Sequence, residues 1–201
     1  MGYWVAAHLM WDPKADPKIL VEDFYTKAFG KAAPCLRRLY ERWARGERFS
    51  PRSLKLSLSD LKEGYRREPE EAVRRRLDRL ALYLHWLCLW LKYDQSSRTD
   101  QWGKLAVDPP GEVVKKARNC VVFARRIMDT GMIHAYPMLF SSWFKTRFSA
   151  LRKVPGFAFD RETEKWKGER TDVPQAAEIR ALLDADLAEL AGLKAVPIEG
   201  R

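Results

Sequence analysis

The feature that most limits what this chain can fold into is the run from Pro69 to Leu91. Val73, Leu77, Leu80, Leu84, Leu87 and Leu91 recur at alternating steps of four and three, a stripe that an α-helix brings to one side. From Leu82 onward Trp86, Leu89 and Trp90 fill the opposite side as well, so the second half is apolar nearly all round and belongs in the middle of a bundle. Its apolar part, Leu80 to Leu91, is about half the length a bilayer requires and includes His85, which excludes membrane insertion by this segment. Pro69 fits a first helical position, with Glu70 and Glu71 complementing the positive end of the helix dipole.

Helices should surround that core. Tyr3 to Trp11 reads as a short helix, closed by Asp12 and Pro13 because the residue before proline leaves the helical region. Asp16 and Pro17 open a second, with Leu20, Phe24 and Ala28 facing inward and Gly30 stopping it. A third runs from Ala32 to Arg45 with Leu36, Leu39, Tyr40 and Trp43 on one side. Gly46 to Lys55 reads as a loop, and Ser57 with Asp60 as a capping box ahead of a helix through Leu61 and Tyr65.

After the long helix we expect a polar loop from Asp94 to Asp108. A helix from Glu112 to Asp129 follows, striped by Val114, Ala117, Val121, Ala124 and Met128 and ended by Gly131. Met132 to Phe148 reads as another helix around Pro137. Arg152 to Asp172 reads as a long surface loop pinned by Phe157, Phe159 and Trp166. The last helix, Pro174 to Ala191, should bury Ile179, Leu182, Leu183, Leu187 and Leu190 and end at Gly192. No long alternating pattern announces a strand, and residues 196–201 could at most begin one. The expected fold class is all-α: an irregular bundle of about seven helices with a long surface loop before the last, spanning residues 1–192 and followed by a tail over 193–201 that could open a further domain.

The chain carries a net charge of +10, which raises a polyanion partner as a question. Residues 37–79 hold 14 Lys and Arg against 8 Asp and Glu. Yet the signs alternate at helical spacing, as in Glu70 with Arg74 and Glu71 with Arg75, the pattern of a solvated helix face rather than a nucleic-acid site. Cys35, Cys88 and Cys120 are odd in number, widely spaced and set in apolar stretches. They read as buried free thiols, with neither a disulfide framework nor a zinc site. The opening residues lack the basic segment and cleavage site of a signal peptide.

Local signatures of catalysis are missing. There is no glycine-rich phosphate loop after a strand, no His pair beside a Glu, and no Gly-x-Ser-x-Gly turn. His8 and His85 read as packed or surface residues, and His134, between Gly131 and Pro137, is the histidine whose setting suits a ligand contact. Asp12 and Asp16 read as caps, and Glu22 and Asp23 as helix-start electrostatics, so no pair of acids is set aside for glycoside hydrolysis. No cofactor or metal is implied.

One stretch is distinctive: Tyr3-Trp4-Val5-Ala6-Ala7-His8-Leu9-Met10-Trp11-Asp12-Pro13, then Asp16, Phe24-Tyr25 and Ala28-Phe29-Gly30-Lys31-Ala32-Ala33. Over residues 3–33 it resembles the helical region that follows the catalytic-type barrel in bacterial glycoside-hydrolase-like proteins of the domain of unknown function 4838 family. More loosely it is similar to the C-terminal helical domains of α-glucuronidases. Weaker likeness continues through Leu80 to Tyr93, Ile127 to His134 and Pro174 to Leu187.

The resemblance implies an accessory piece of a larger carbohydrate-active protein, inactive by itself and packed against a barrel in cis or in trans, the barrel holding the acid and base. The parent would be secreted or periplasmic, and Met1 directly before the motif reads as a truncated or split frame. No catalytic residue carries over. Tyr3, Trp4, Trp11 and His134 are the candidates for the barrel interface or for the rim of a carbohydrate cleft, since aromatics pack on a protein or stack on a sugar. The rival expectation is a free-standing basic module that binds an acidic partner or nucleic acid with steep salt dependence.

Overall fold

In the computed structural model, which describes residues 2–47, 50–100, 103–106, 108–131, 142–169 and 172–192, the apolar run becomes one helix of 25 residues, Glu71–Gln95. It is the fifth in chain order and is labelled α5, after α1 (Gly2–Trp11), α2 (Pro17–Phe29), α3 (Ala33–Ala44) and α4 (Pro51–Arg67). Two short strands, β1 (Ser97–Asp100) and β2 (Gly103–Ala106), lead to α6 (Pro110–Ile127). Then come α7 (Ser142–Arg147), α8 (Phe159–Lys167) and α9 (Ala176–Gly192), with single 3-10 turns at Gly30–Ala32, Met128–Thr130 and Ser149–Lys153. The architecture is an all-α multi-helix fold.

The core is built around α5, which packs on α4, α6 and α9. Val73, Leu77, Leu80, Leu84 and Leu87 of its stripe are buried, as are Trp86 and Cys88 off the stripe. Each fully buried Leu contributes about 1.5–3 kcal/mol relative to exposure, so this helix organises the others. On one side α3 brings Cys35, Leu36 and Leu39 against α4, which supplies Leu54, Leu58 and Leu61. Gly64 permits the close approach: a Cβ there would stand 3.1 Å from Cδ2 of Leu36 and 3.4 Å from Cβ of Ala32. On the other side α6 contributes Val113, Ala117, Cys120, Val121, Phe123, Ala124 and Ile127.

Several boundaries differ from the sequence reading. The capping box is Ser50 with Ser53, each side chain bonded to the other's backbone N–H at 3.1 and 2.9 Å. Hence α4 begins at Pro51 inside the expected loop, and Ser57 and Asp60 lie within the helix and are buried. The long helix starts at Glu71 because Glu68 and Glu70 are extended. Glu71 pairs with Arg75 at 2.9 Å as expected, whereas Arg74 donates to the carbonyl of Glu68 instead of pairing with Glu70.

The inward face of α2 is turned by one residue, burying Tyr25 and Phe29 while Phe24 and Ala28 are partly buried. In α6 Val114 and Met128 are likewise only partly buried, the seam running through Val113, Cys120 and Ile127. The expected 94–108 loop contains the hairpin, Ser97 paired with Ala106 and Asp100 with Gly103. The expected 152–172 loop contains α8, where Phe159, Thr163 and Trp166 are buried one turn apart. In α9 Ile179, Leu183 and Leu190 are buried together with Asp186, and Leu182 and Leu187 are partly covered. Of the expected 132–148 helix, the described part is α7 with the turn after it; residues 132–141 and the 193–201 tail lie outside the described residues.

Candidate functional site

The aromatic opening forms α1, and its geometry is unusual. None of its ten residues is buried. Tyr3 is 96% exposed, Met10 86% and Trp11 92%, and Ile19 on α2 adds a further exposed apolar side chain. Apolar residues make up all of α1 except Gly2 and His8, and a helix of that composition ordinarily packs its stripe against something. Trp4, Val5 and Leu9 are half-buried; the Trp4 ring lies 5.8 Å from Phe24 and 3.9 Å from His8, whose Nδ1 lies 2.9 Å from the carbonyl of Trp4.

The Trp-Asp-Pro segment then turns the chain. The Lys14 amide donates to Asp12 at 3.1 Å and the Lys18 amide to Asp16 at 2.8 Å, so both acids are spent on turn and cap, as their spacing predicted.

The Phe-Gly-Lys-Ala-Ala sequel makes a corner that ties this segment to the core. Gly30 adopts φ 47°, and a Cβ there would collide with Oε2 of Glu68. That carboxylate is buried, and it accepts the amides of Lys31 at 2.6 Å and Glu70 at 2.8 Å, closing the start of α3 and the approach to α5 together. Ala32 is wholly buried beside Gly64. The small residues of the motif are thus explained by packing rather than by ligand contact.

Ring contacts of 5.5–6.1 Å run without a break from Trp4 through Phe24, Phe29, Tyr40 and Trp43 to Tyr83 on α5. They continue through Trp86 and Trp90 to Phe148. Burial pushes the Tyr40 hydroxyl up to about 12, so this network is uncharged at neutral pH. Trp166 is buried against Phe157. Of the six tryptophans whose side chains are described, Trp11 is the one left exposed. The structure brings Tyr3, Trp4 and Trp11 together on α1; His134 lies outside the described residues.

The basic stretch is largely paired within the fold. Arg38 and Arg42 both bind the buried carboxylate of Asp60, the first at 2.8 Å through Nε. Arg66 and Arg67 hold Glu63 at 2.9 and 2.8 Å, keeping its carboxyl below the usual range, and Arg37 meets Glu22 at 2.5 Å. The three cysteines are buried, and burial pushes the Cys88 and Cys120 thiols far up, which makes them poor nucleophiles.

A feature that the sequence left unannounced sits where α5, α6 and α9 meet. Asp186 is 3% exposed, and its Oδ2 lies 2.7 Å from Nδ1 of His85. His85 also meets Phe123 edge-on at 4.6 Å and forms part of the lining of a cleft of about 250 Å³. The partners are 101 residues apart, so no local spacing could have revealed them. Among the described residues, no group of three or more His, Cys, Asp or Glu could hold a metal ion, and no helix is long and apolar enough to cross a membrane.

A family model for a domain of unknown function (DUF4838) matches residues 1–41. The match spans α1, α2 and most of α3 and stops before α4, so it leaves out the stretches 80–93, 127–134 and 174–187. It does not form a unit by itself, because its buried Ala32 and Leu36 lie against Gly64 of α4. No curated protein and no solved structure matches the chain.

Proposed function

We propose that this chain is a non-catalytic helical accessory domain of a glycoside-hydrolase-like protein, docking on a catalytic-type barrel of its parent through the apolar face of α1. The observation that carries the reading is α1 itself. Ten residues, Gly2–Trp11, include no acid and no Lys or Arg, none is buried, and the family match begins there. A helix this short is marginal in water without tertiary cover. Covering an exposed large apolar side chain such as Trp11 or Met10 is worth about 1.5–3 kcal/mol.

The acids support the non-catalytic part. Asp12 and Asp16 serve turn and cap, Asp23 pairs with Lys27 at 2.7 Å, and Asp60 and Glu68 hold the core together. A two-carboxylate hydrolysis would therefore draw its acid and base from the barrel. Tyr3 and Trp11 would pack on that barrel or edge its sugar cleft, with His134 as a further rim candidate.

The test titrates the barrel region of a DUF4838 protein into the full chain by calorimetry, alongside a Met10→Ser/Trp11→Ala variant. Binding that weakens tenfold or more in the variant is the expected result, tenfold corresponding to about 1.4 kcal/mol. Equal affinity of the two chains, or hydrolysis of aryl glycosides by this chain alone at rates typical of glycosidases, would overturn the reading. The net charge of +10 makes nucleic acid the necessary control ligand. Strong binding there with a steep salt slope would favour the basic-module alternative instead.

A further inference from the structure

The cleft beside His85 draws on helices other than α1, and its polar groups are arranged for a ligand of particular chemistry. Burying a carboxylate and an imidazole where two apolar side chains would fit costs stability unless their arrangement serves something. Here the Asp186 carboxylate holds Nδ1 of His85, which fixes the ring and leaves Nε2 as the nitrogen for a ligand. Arg118 lines the same cleft and spends Nε and Nη2 on Glu169, while its Nη1 makes no hydrogen bond among the described residues. Asn119 beside it makes no side-chain hydrogen bond among the described residues. Leu89, Val122, Phe123 and Leu182 add apolar surface from α5, α6 and α9, and Arg126, paired with Glu178, lines the cleft as well.

A guanidinium edge and a carboxamide N–H are donors, and Nε2 of an imidazole becomes one when the ring takes its second proton, whose charge Asp186 balances. Three donors lining one cleft that also has apolar side chains match a carboxylate better than a lone hydroxyl. At about 250 Å³ the space falls below the ~300–1,000 Å³ of pockets for drug-sized ligands, which limits the ligand to about one ring.

We propose that this cleft binds a small amphipathic monocarboxylate, its carboxylate received by His85, Arg118 and Asn119 and its body by Leu89, Val122 and Leu182. The site is independent of barrel docking. The charged groups around that ring are Asp186 from α9, and Arg118 and Arg126 from α6 with their partners Glu169 and Glu178. Cys88, on the same helix as His85, stays a neutral thiol because burial raises it.

The experiment is calorimetry on the full chain with acetate, butyrate, benzoate and phenylacetate, with benzyl alcohol as the neutral counterpart of benzoate. At least one carboxylate should bind, and benzyl alcohol should bind at least tenfold more weakly than benzoate. Arg118→Ala, a change on a half-exposed side chain, should weaken the carboxylate about tenfold while leaving the unfolding transition in place. His85→Ala should weaken the carboxylate likewise; if that variant fails to fold, Arg118→Ala decides alone. The proposal falls if no member of the panel binds at about 10 mM, if the alcohol binds as well as the acid, or if Arg118→Ala binds like the parent chain.

Discussion

Two helices of this protein are apolar nearly all round, and they meet opposite fates. The second half of α5 is enclosed by α4, α6 and α9, with Leu80, Ala81, Leu82, Leu84, Trp86, Leu87 and Cys88 all buried. In contrast α1 touches the rest of the chain along α2 and buries nothing. Composition therefore does not assign burial; the number of neighbours does. What separates them is cover: α4, α6 and α9 pack on α5, whereas α1 rests mainly on α2. The same hydrophobic effect that makes α5 the organiser of the fold makes exposure of α1 costly.

The sharpest way to break this contrast is to truncate each helix and compare. Leu84→Ala, at a site with no exposure, should lower stability by about 2–5 kcal/mol in chemical denaturation, since both transfer and cavity terms are lost. A loss under about 1 kcal/mol would mean that α5 is less enclosed than described. Asp60→Ala, which strands the mostly buried Arg42, should cost about 2–3 kcal/mol by the same measurement. Gly30→Ala forces a side chain onto the Glu68 carboxylate at positive φ and should cost about 1–3 kcal/mol. Thermal unfolding with Gly46→Ala as the reference separates the collision from the backbone strain, because at Gly46 (φ 72°) nothing stands within 4 Å of the added atom. Smallest of all, Trp11→Ala should move stability by less than about 0.5 kcal/mol. Its effect should appear in self-association at high concentration, read by light scattering, which the substitution should reduce.

The contrast also explains what could be read from the sequence. The stripe of α5 was legible because its period and length admit one conformation, and Asp16 and Pro17 marked the start of α2 by local chemistry alone. The start of α4 was not, because Ser50-Pro51-Arg52-Ser53 caps with a second hydroxyl where an acid is the usual signal. The Ser57 to Asp60 spacing imitated that signal while Asp60 served Arg38 and Arg42 on the neighbouring helix. Helix α8 hid because Thr163 fills one of its three buried positions, so its apolar periodicity is broken. The His85–Asp186 pair hid for a different reason: its partners meet through the packing of α9 on α5, a tertiary event without a local pattern. Tyr3, Trp4 and Trp11 were visible as a group because they share one short helix, and the structure adds which of them are uncovered.

Amide hydrogen exchange with mass spectrometry, run on the full chain alone and with the barrel region of a DUF4838 protein, tests the central claim most directly. It compares α1 and α5 in one experiment. The account predicts slow exchange across α5 in both samples, fast exchange across α1 in the free chain, and strong protection of α1 when the barrel is present. Slow exchange of α1 in the free chain, or exchange of α1 unchanged by the barrel, would contradict it.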